Sequence, residues 1–264
     1  MTGQVVIVTG ASEGIGRALA VELAARKVRL VLAARNQGRL DEAATRCREL
    51  GSECLVVPTD VTNPAQCRSL IDAAIAHFGR IDVLVNNAGG TMWSRFDALD
   101  DVRLFEDLMR LNYMSAVYLT AAALPWLKQS RGRLVAVASV AGLTGVPERT
   151  GYAATKHAMV GFFDSLRIEL AGSGVTVTVI APDFVKSEIH KRALGADGRP
   201  LGESPMKVDR IMSAEDCARM AVRAIERRQR LLITSRRGRL GRWFKLIAPW
   251  LIDRIAAAAI RERH

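Results

Sequence analysis

The chain predicts an α/β fold: one doubly wound domain, a seven-stranded parallel sheet with helices on both faces, followed by a C-terminal amphipathic helical extension. Three observations lead there. Short runs rich in Val, Ile and Leu alternate with segments of helical period from the first residues onward. The runs are nearly continuous in apolar residues, as expected of strands covered on both faces. Helical segments stand between them, which is the connection that parallel neighbours in one sheet require.

In order, the strand runs are QVVIVT (4–9), RLVLAA (29–34), CLVVP (54–58), IDVLVN (81–86), RLVAVAS (133–139), VTVTVI (175–180) and RLLIT (230–234). GIGRALAVELAARK, QGRLDEAATRCREL and PAQCRSLIDAAIAHF are the helical patterns after the first three. A longer one, LMRLNYMSAVYLTAAALPWLK, precedes the fifth strand, and GYAATKHAM opens an amphipathic helix after it. No repeat, low-complexity tract or linker divides the chain, so residues 1–235 read as one domain and 236–264 as a basic tail. Residues 184–212, beyond the sixth strand and rich in Gly and Pro, read as a mobile lid over a site.

The composition bounds the function. Over 264 residues, 49% are hydrophobic, which excludes disorder and leaves ample material for a core. MTGQVVIVTG has no basic leader and predicts a domain start rather than a signal peptide. No apolar run approaches the roughly 18 residues of a bilayer-spanning helix. Cys47, Cys54, Cys67 and Cys217 form no CxxC pair, so no metal is expected and a reducing, cytoplasmic compartment is. Of the +11 net charge, +9 falls between Arg223 and His264, with 12 Arg and Lys against 3 Asp and Glu. No nucleic-acid module accompanies that charge, and no nucleic-acid partner is expected.

Gly10, Gly14 and Gly16 lie in the turn between the first strand and its helix. Glycine lets the chain turn sharply and lets a pyrophosphate approach the free N–H groups at the helix start. No Lys-Ser/Thr pair follows, which disfavours a nucleoside triphosphate. At the end of the second strand, where an NAD site places a carboxylate, stand Ala34 and Arg35. A neutral residue beside an arginine favours the 2′-phosphate of NADP(H) over NAD(H), although Glu13 in the glycine turn works mildly against it.

Tyr152 and Lys156 sit four positions apart, one helical turn, and share a face. Alone they would pass for a surface pair. Ser139 ends the fifth strand, NNAG (86–89) ends the fourth, and Asn112 lies in the long helical pattern before the serine. Each has a plain explanation as a turn or packing residue. In this order and spacing, TGASEGIG, NNAG, Asn112, Ser139 and YAATK resemble the short-chain dehydrogenase/reductase family over roughly residues 4–234. LTAAALPWLKQSRGRLVAVASVAG and GFFDSLRIEL are similar to its 11β-hydroxysteroid dehydrogenase branch.

The resemblance implies a Rossmann-type catalytic domain with Asn112, Ser139, Tyr152 and Lys156 as its catalytic set. Tyrosine, with a usual pKa of about 10, trades protons poorly near neutrality, and a neighbouring cation stabilises its phenolate. Tyr152 would be the general acid/base and Lys156 would assist it while gripping the nicotinamide ribose. Ser139 would hold the substrate oxygen, and Asn112 would support a water relay to Lys156. Gly10, Ser12, Gly14, Ile15 and Gly16 would line the pyrophosphate. Arg35 would meet the 2′-phosphate, Asp60 and Val61 the adenine, and Asn87, Ala88 and Gly89 the ribose. Pro182, Val185 and Ser187 would pass the nicotinamide. Asp183 stands where the family commonly has glycine; a carboxylate near the ring would favour the oxidised cofactor, and an outward orientation is expected instead. His190 reads as a solvated helix residue.

In the tail, Leu240, Trp243, Phe244, Ile247, Trp250 and Leu251 form one stripe with Arg239, Arg242 and Lys245 mostly off it. Pro249 should kink this helix or begin a second. The tail is expected to pack on its own domain or on a second subunit, with peripheral contact to anionic lipid as the competing reading. The function expected is NADP(H)-dependent interconversion of a ketone or aldehyde with an alcohol, on a lipophilic steroid, long-chain 3-keto or sphingoid-like substrate. A non-catalytic NADP(H)-binding regulatory protein is the alternative, which the intact catalytic set disfavours. The larger C-terminal domain usual in related epimerases has little room here. By resemblance the chain forms a homodimer or homotetramer, paired through the Tyr152 helix and the one before it.

Overall fold

A computed structural model describes residues 1–205 and 211–261. The expected lid and tail therefore extend, at 206–210 and 262–264, outside the described residues. Seven parallel strands form one sheet in the order β3-β2-β1-β4-β5-β6-β7. They are β1 (Val5–Thr9), β2 (Arg29–Ala34), β3 (Cys54–Pro58), β4 (Val83–Asn86), β5 (Arg133–Val137), β6 (Thr176–Ala181) and β7 (Leu231–Ile233). β5 stops two residues short of the serine run because Ser139 caps a short 3₁₀ turn, its Oγ accepting from the Ala141 N–H at 3.2 Å.

The pleat explains the unbroken apolar runs. Val6 and Val8 of β1 face one core with α1 (Gly14–Ala24), α2 (Gln37–Glu49) and α7 (Ala214–Glu226). Val5 and Ile7 face the other with α3 (Pro64–Phe78), α5 (Ser115–Ser130) and α6 (Thr150–Glu169). Successive residues point to opposite sides and both sides are buried, so both positions favour apolar residues. Helix starts carry their own signals. Asn63 accepts from the Ala65 N–H at 2.9 Å ahead of Pro64, and Ser213 accepts from the Asp216 N–H at 3.0 Å.

The long pattern before β5 is three pieces rather than one helix. α4 (Arg103–Met109) passes through a π turn (Arg110–Met114) into α5. Asn112, fully buried, lies in that turn with its amide bonded to the backbone of Gly90. An extra residue in one turn is what lets a polar side chain leave the helix surface and point inward.

The tail forms α8 (Arg236–Ile247) and α9 (Pro249–Arg261), the proline beginning the second helix. α8 buries no residue. Packing of the tail stripe on its own domain is thereby overturned: Trp243 is 65% exposed and Ile247 79%. No described helix is long and apolar enough to cross a membrane.

Candidate active site

Strand order reverses between β1 and β4, which opens a crevice beyond their carboxyl ends. A cleft of about 640 Å³ lies there. Of the residues expected to hold a cofactor, Gly10, Ser12, Gly14, Ile15, Gly16, Arg35, Asp60, Val61, Asn87, Ala88, Gly89, Tyr152, Lys156 and Ser187 line it. Pro182 and Val185 do not. The Pro182 carbonyl accepts from the Val140 N–H at 2.9 Å, and Val185 is buried in the core beside α7.

The glycine turn fits a dinucleotide on its own geometry. A Cβ on Gly16 would lie 2.1 Å from the Gly10 carbonyl oxygen and 2.5 Å from Asn87 Nδ2. Gly10 has φ +64°, which a side chain rarely tolerates. Thr9 ties this turn to the NNAG loop: its Oγ1 accepts from the N–H groups of Asn87 and Ala88 at 3.0 and 3.1 Å and donates to the Val85 carbonyl. Asn87 Nδ2 returns a bond to the Thr9 carbonyl at 2.8 Å. Asn87 therefore acts through the backbone beside the cleft. Ser187 comes from beyond β6 to lie against Gly14, with its Cβ 3.3 Å from the site of a Cβ there.

Tyr152 and Lys156 meet inside the protein rather than on its surface. Lys156 Nζ is 5.7 Å from the Tyr152 ring centroid, and both side chains are buried. The amine donates to the Val137 carbonyl at 3.0 Å, which fixes it below the ring. Burial pushes the Lys156 amine below its ordinary pKa; Tyr152 draws it back up and the charge of Arg149 presses it further down. Ser139 Oγ donates to the Pro182 carbonyl at 3.4 Å. Neither Ser139 nor Asn112 lines the cleft itself. The Asn112 amide is engaged by Gly90 and by Thr155 Oγ1 at 2.9 Å, and its Oδ1 packs over Gly89, next to Lys156 Nζ.

Two expectations need correction. His190 is neither solvated nor helical: it is 6% exposed, in a turn, with Nε2 at 3.0 Å from the Val185 carbonyl. Its imidazole is held below its ordinary pKa by burial, against the bond to Val185 and together with the charge of Arg149. Glu13 does not stand free in the glycine turn. It pairs with Arg39 of α2 at 2.8 Å and with Arg192 of the lid segment, which removes its opposition to a phosphate. Asp183 turns from the cleft toward the tail, accepting from Ser235 Oγ at 2.7 Å and from Arg237 at 2.9 Å.

Sequence reasoning missed Thr9, Thr155 and Arg149. Arg149, buried at the start of α6, lies 4.3 Å over the Tyr152 ring and 5.2 Å over that of Trp93, and donates to Thr91 Oγ1 at 2.6 Å. A threonine closing β1 ahead of the glycines was a readable signal. No spacing rule marks an arginine three positions before a tyrosine.

The family model for short chain dehydrogenases matches residues 4–196. The 11-beta-hydroxysteroid dehydrogenase 1A of Arabidopsis thaliana is 38% identical over 257 residues, covering 95% of this chain and 72% of that protein. The 11-beta-hydroxysteroid dehydrogenase A of Sesamum indicum is 37% identical over 262 residues, covering 96% and 74%. A short chain dehydrogenase/reductase from Burkholderia phymatum, solved in complex with NAD, has TM-score 0.83 at 27% identity and covers 95% of both chains. An alcohol dehydrogenase from the archaeon Thermococcus sibiricus, complexed with 5-hydroxy-NADP, has TM-score 0.76 at 26% identity over 87% of this chain and 95% of that one. Sharing that family's sequence over most of its length and the fold over nearly all of it, the chain belongs to the short-chain dehydrogenase/reductase family, on the side of its 11β-hydroxysteroid dehydrogenase-like branch, and is an oxidoreductase of alcohol and carbonyl groups with a nicotinamide cofactor.

Proposed function

We propose that this oxidoreductase uses NADP(H) in preference to NAD(H) and interconverts a lipophilic ketone or aldehyde with its alcohol. The observation that carries the reading is the buried pair of Tyr152 and Lys156 in a cleft shaped for a dinucleotide. When bound, the nicotinamide supplies or takes the hydride. In reduction Tyr152 gives its proton to the carbonyl oxygen, and the nearby ammonium of Lys156 stabilises the phenolate left behind. The Val137 carbonyl orients that ammonium. Ser139 Oγ, fixed by the Ala141 N–H, turns its hydrogen from the Pro182 carbonyl, 3.4 Å away, to the substrate oxygen. Asn112 braces the Gly89–Gly90 backbone, and with it the floor beneath Lys156.

The 2′-phosphate reading rests on exposed Arg35 at the end of β2, on Ala34 in place of an acid, and on the one net positive charge that Arg39 and Arg192 leave on the same rim after pairing with Glu13. A lipophilic substrate is supported by the apolar cluster that packs on Tyr152 beside the cleft, Met92, Leu104 and Ala141 with Val146 and Leu194 at its edge. A homodimer or homotetramer paired through α5 and α6 belongs to the same proposal; Ile168 on α6 is 74% exposed. So does a cytoplasmic location, in keeping with four free cysteines.

Oxidation of NADPH and NADH against ketones of differing chain length and ring count tests the reading, with Tyr152→Phe beside the native chain. Turnover should fall at least about a hundredfold in the variant with cofactor affinity near normal. Equal turnover would remove Tyr152 from the reaction.

A further inference from the structure

Function absorbs every motif of the sequence except the tail. α8 meets the body along one side. Gly238 packs against Val140 and Ile233, and Lys245, seven residues on and so on the same face, donates to the Leu143 carbonyl at 3.0 Å. Leu240, Trp243, Phe244 and Ile247 lie on the opposite side and are all exposed. Trp250 and Ile255 of α9 continue the exposed surface. Around it stand Arg236, Arg239, Arg242 and Arg254, which form no ion pair among the described residues. Asp253 is the one acid between residues 236 and 257.

We propose that α8 and α9 are an interfacial anchor that lies on an anionic lipid bilayer, with the aromatic stripe in the headgroup–acyl boundary and the arginines on lipid phosphates and carboxylates. Charge selects this occupant over a second copy. Two such faces brought together would set arginine against arginine with almost no acid to neutralise them, whereas an anionic leaflet supplies the missing charge. Helix length selects the mode: over the described residues neither helix is long and apolar enough to cross a bilayer, so the tail lies on it. The anchor holds a fixed place on the enzyme. Asp183 binds Ser235 and Arg237 where α8 begins, and Val140, which Gly238 touches, follows Ser139 in the chain. Lipid contact is thus fixed beside the substrate end of the cleft, and it does not depend on the cofactor or reaction proposed above.

The test is co-sedimentation of the full chain with vesicles of phosphatidylcholine, neat or containing about a third phosphatidylserine, together with tryptophan emission, all read without turnover. Native protein should bind the anionic vesicles at least about tenfold more tightly than the neutral ones, with a blue shift. The variant Trp243→Ser/Phe244→Ser/Trp250→Ser should lose the shift and most of the binding. The variant Arg239→Gln/Arg242→Gln/Arg254→Gln should bind both vesicles alike and weakly. Because all six side chains are exposed, circular dichroism melts should match the native chain. Negligible native binding to both vesicles would overturn the proposal. So would apolar-face variants that bind lipid normally but dissociate an oligomer in sedimentation equilibrium, which would assign the face to a second copy.

Discussion

Gly16→Ala adds one methyl group where the structure has no room for it. The new Cβ would lie 2.1 Å from the Gly10 oxygen, 2.7 Å from the Gly10 carbonyl carbon and 2.5 Å from Asn87 Nδ2. Ordinary contacts are about 3.5–4 Å, so something must retreat by more than about 1 Å. None of the three atoms is the free end of a flexible chain. Two are backbone, and the third is bonded to the Thr9 carbonyl at 2.8 Å. Overpacking of this kind costs about 1–3 kcal/mol, offset by up to about 1 kcal/mol from alanine's better helix propensity. A net loss of about 1–2 kcal/mol should appear in urea melts. Because the displaced atoms belong to the turn proposed to face the pyrophosphate, cofactor affinity should fall as well, by about tenfold for each 1.4 kcal/mol of hydrogen bonding lost. Fluorescence titration with NADPH measures it. Gly161→Ala, in the exposed middle of α6 with nothing within 4 Å, is the control and should leave affinity unchanged. Native affinity in Gly16→Ala would refute the steric reasoning and the placement of the pyrophosphate.

Two further outcomes are expected. His190 is kept neutral in the fold at a pH where the unfolded chain, with an imidazole pKa of about 6.5, takes up a proton. The unfolded state then binds more protons, so stability should fall as pH drops through the window below about 6.5 and recover on the way up. Urea melts at acid and neutral pH should show this for the native chain and less of it for His190→Asn; identical pH dependence would place the effect elsewhere. Asp183→Asn should loosen the start of α8, seen as faster amide exchange over residues 235–239, for a stability loss of no more than about 1 kcal/mol because Arg237 is largely solvated. Unchanged exchange would mean that the ion pair does not anchor the tail.

Much of this was legible in the sequence. Near-continuous apolar runs gave the strands to within about two residues, because a strand buried on both faces favours apolar residues at successive positions. Glycines in the first turn and the NNAG loop located the cleft, since each follows a strand at its carboxyl end, and the Tyr152–Lys156 spacing marked the helix face turned to it. What stayed hidden depended on contacts between residues far apart in the chain. Glu13 looked hostile to a phosphate until Arg39 and Arg192 arrived from α2 and from beyond β6. His190 looked like a solvated helix residue among Lys186, Glu188, Lys191 and Arg192, and its burial comes from contacts with the Val185 carbonyl and the Phe184 ring. The tail's stripe had the pattern of a core-facing helix; only the structure showed it facing away from the body.

The π turn at Arg110–Met114 makes this stretch an unusual place for a deletion. A π turn closes over one residue more than an α turn. Losing a single residue here would let α4 and α5 fuse into one regular rod while the flanking faces keep their partners. In the shortened protein the asparagine should no longer reach the loop beneath Lys156, where it now bonds the Gly90 backbone. Length in this segment is therefore set by the site and not by the scaffold.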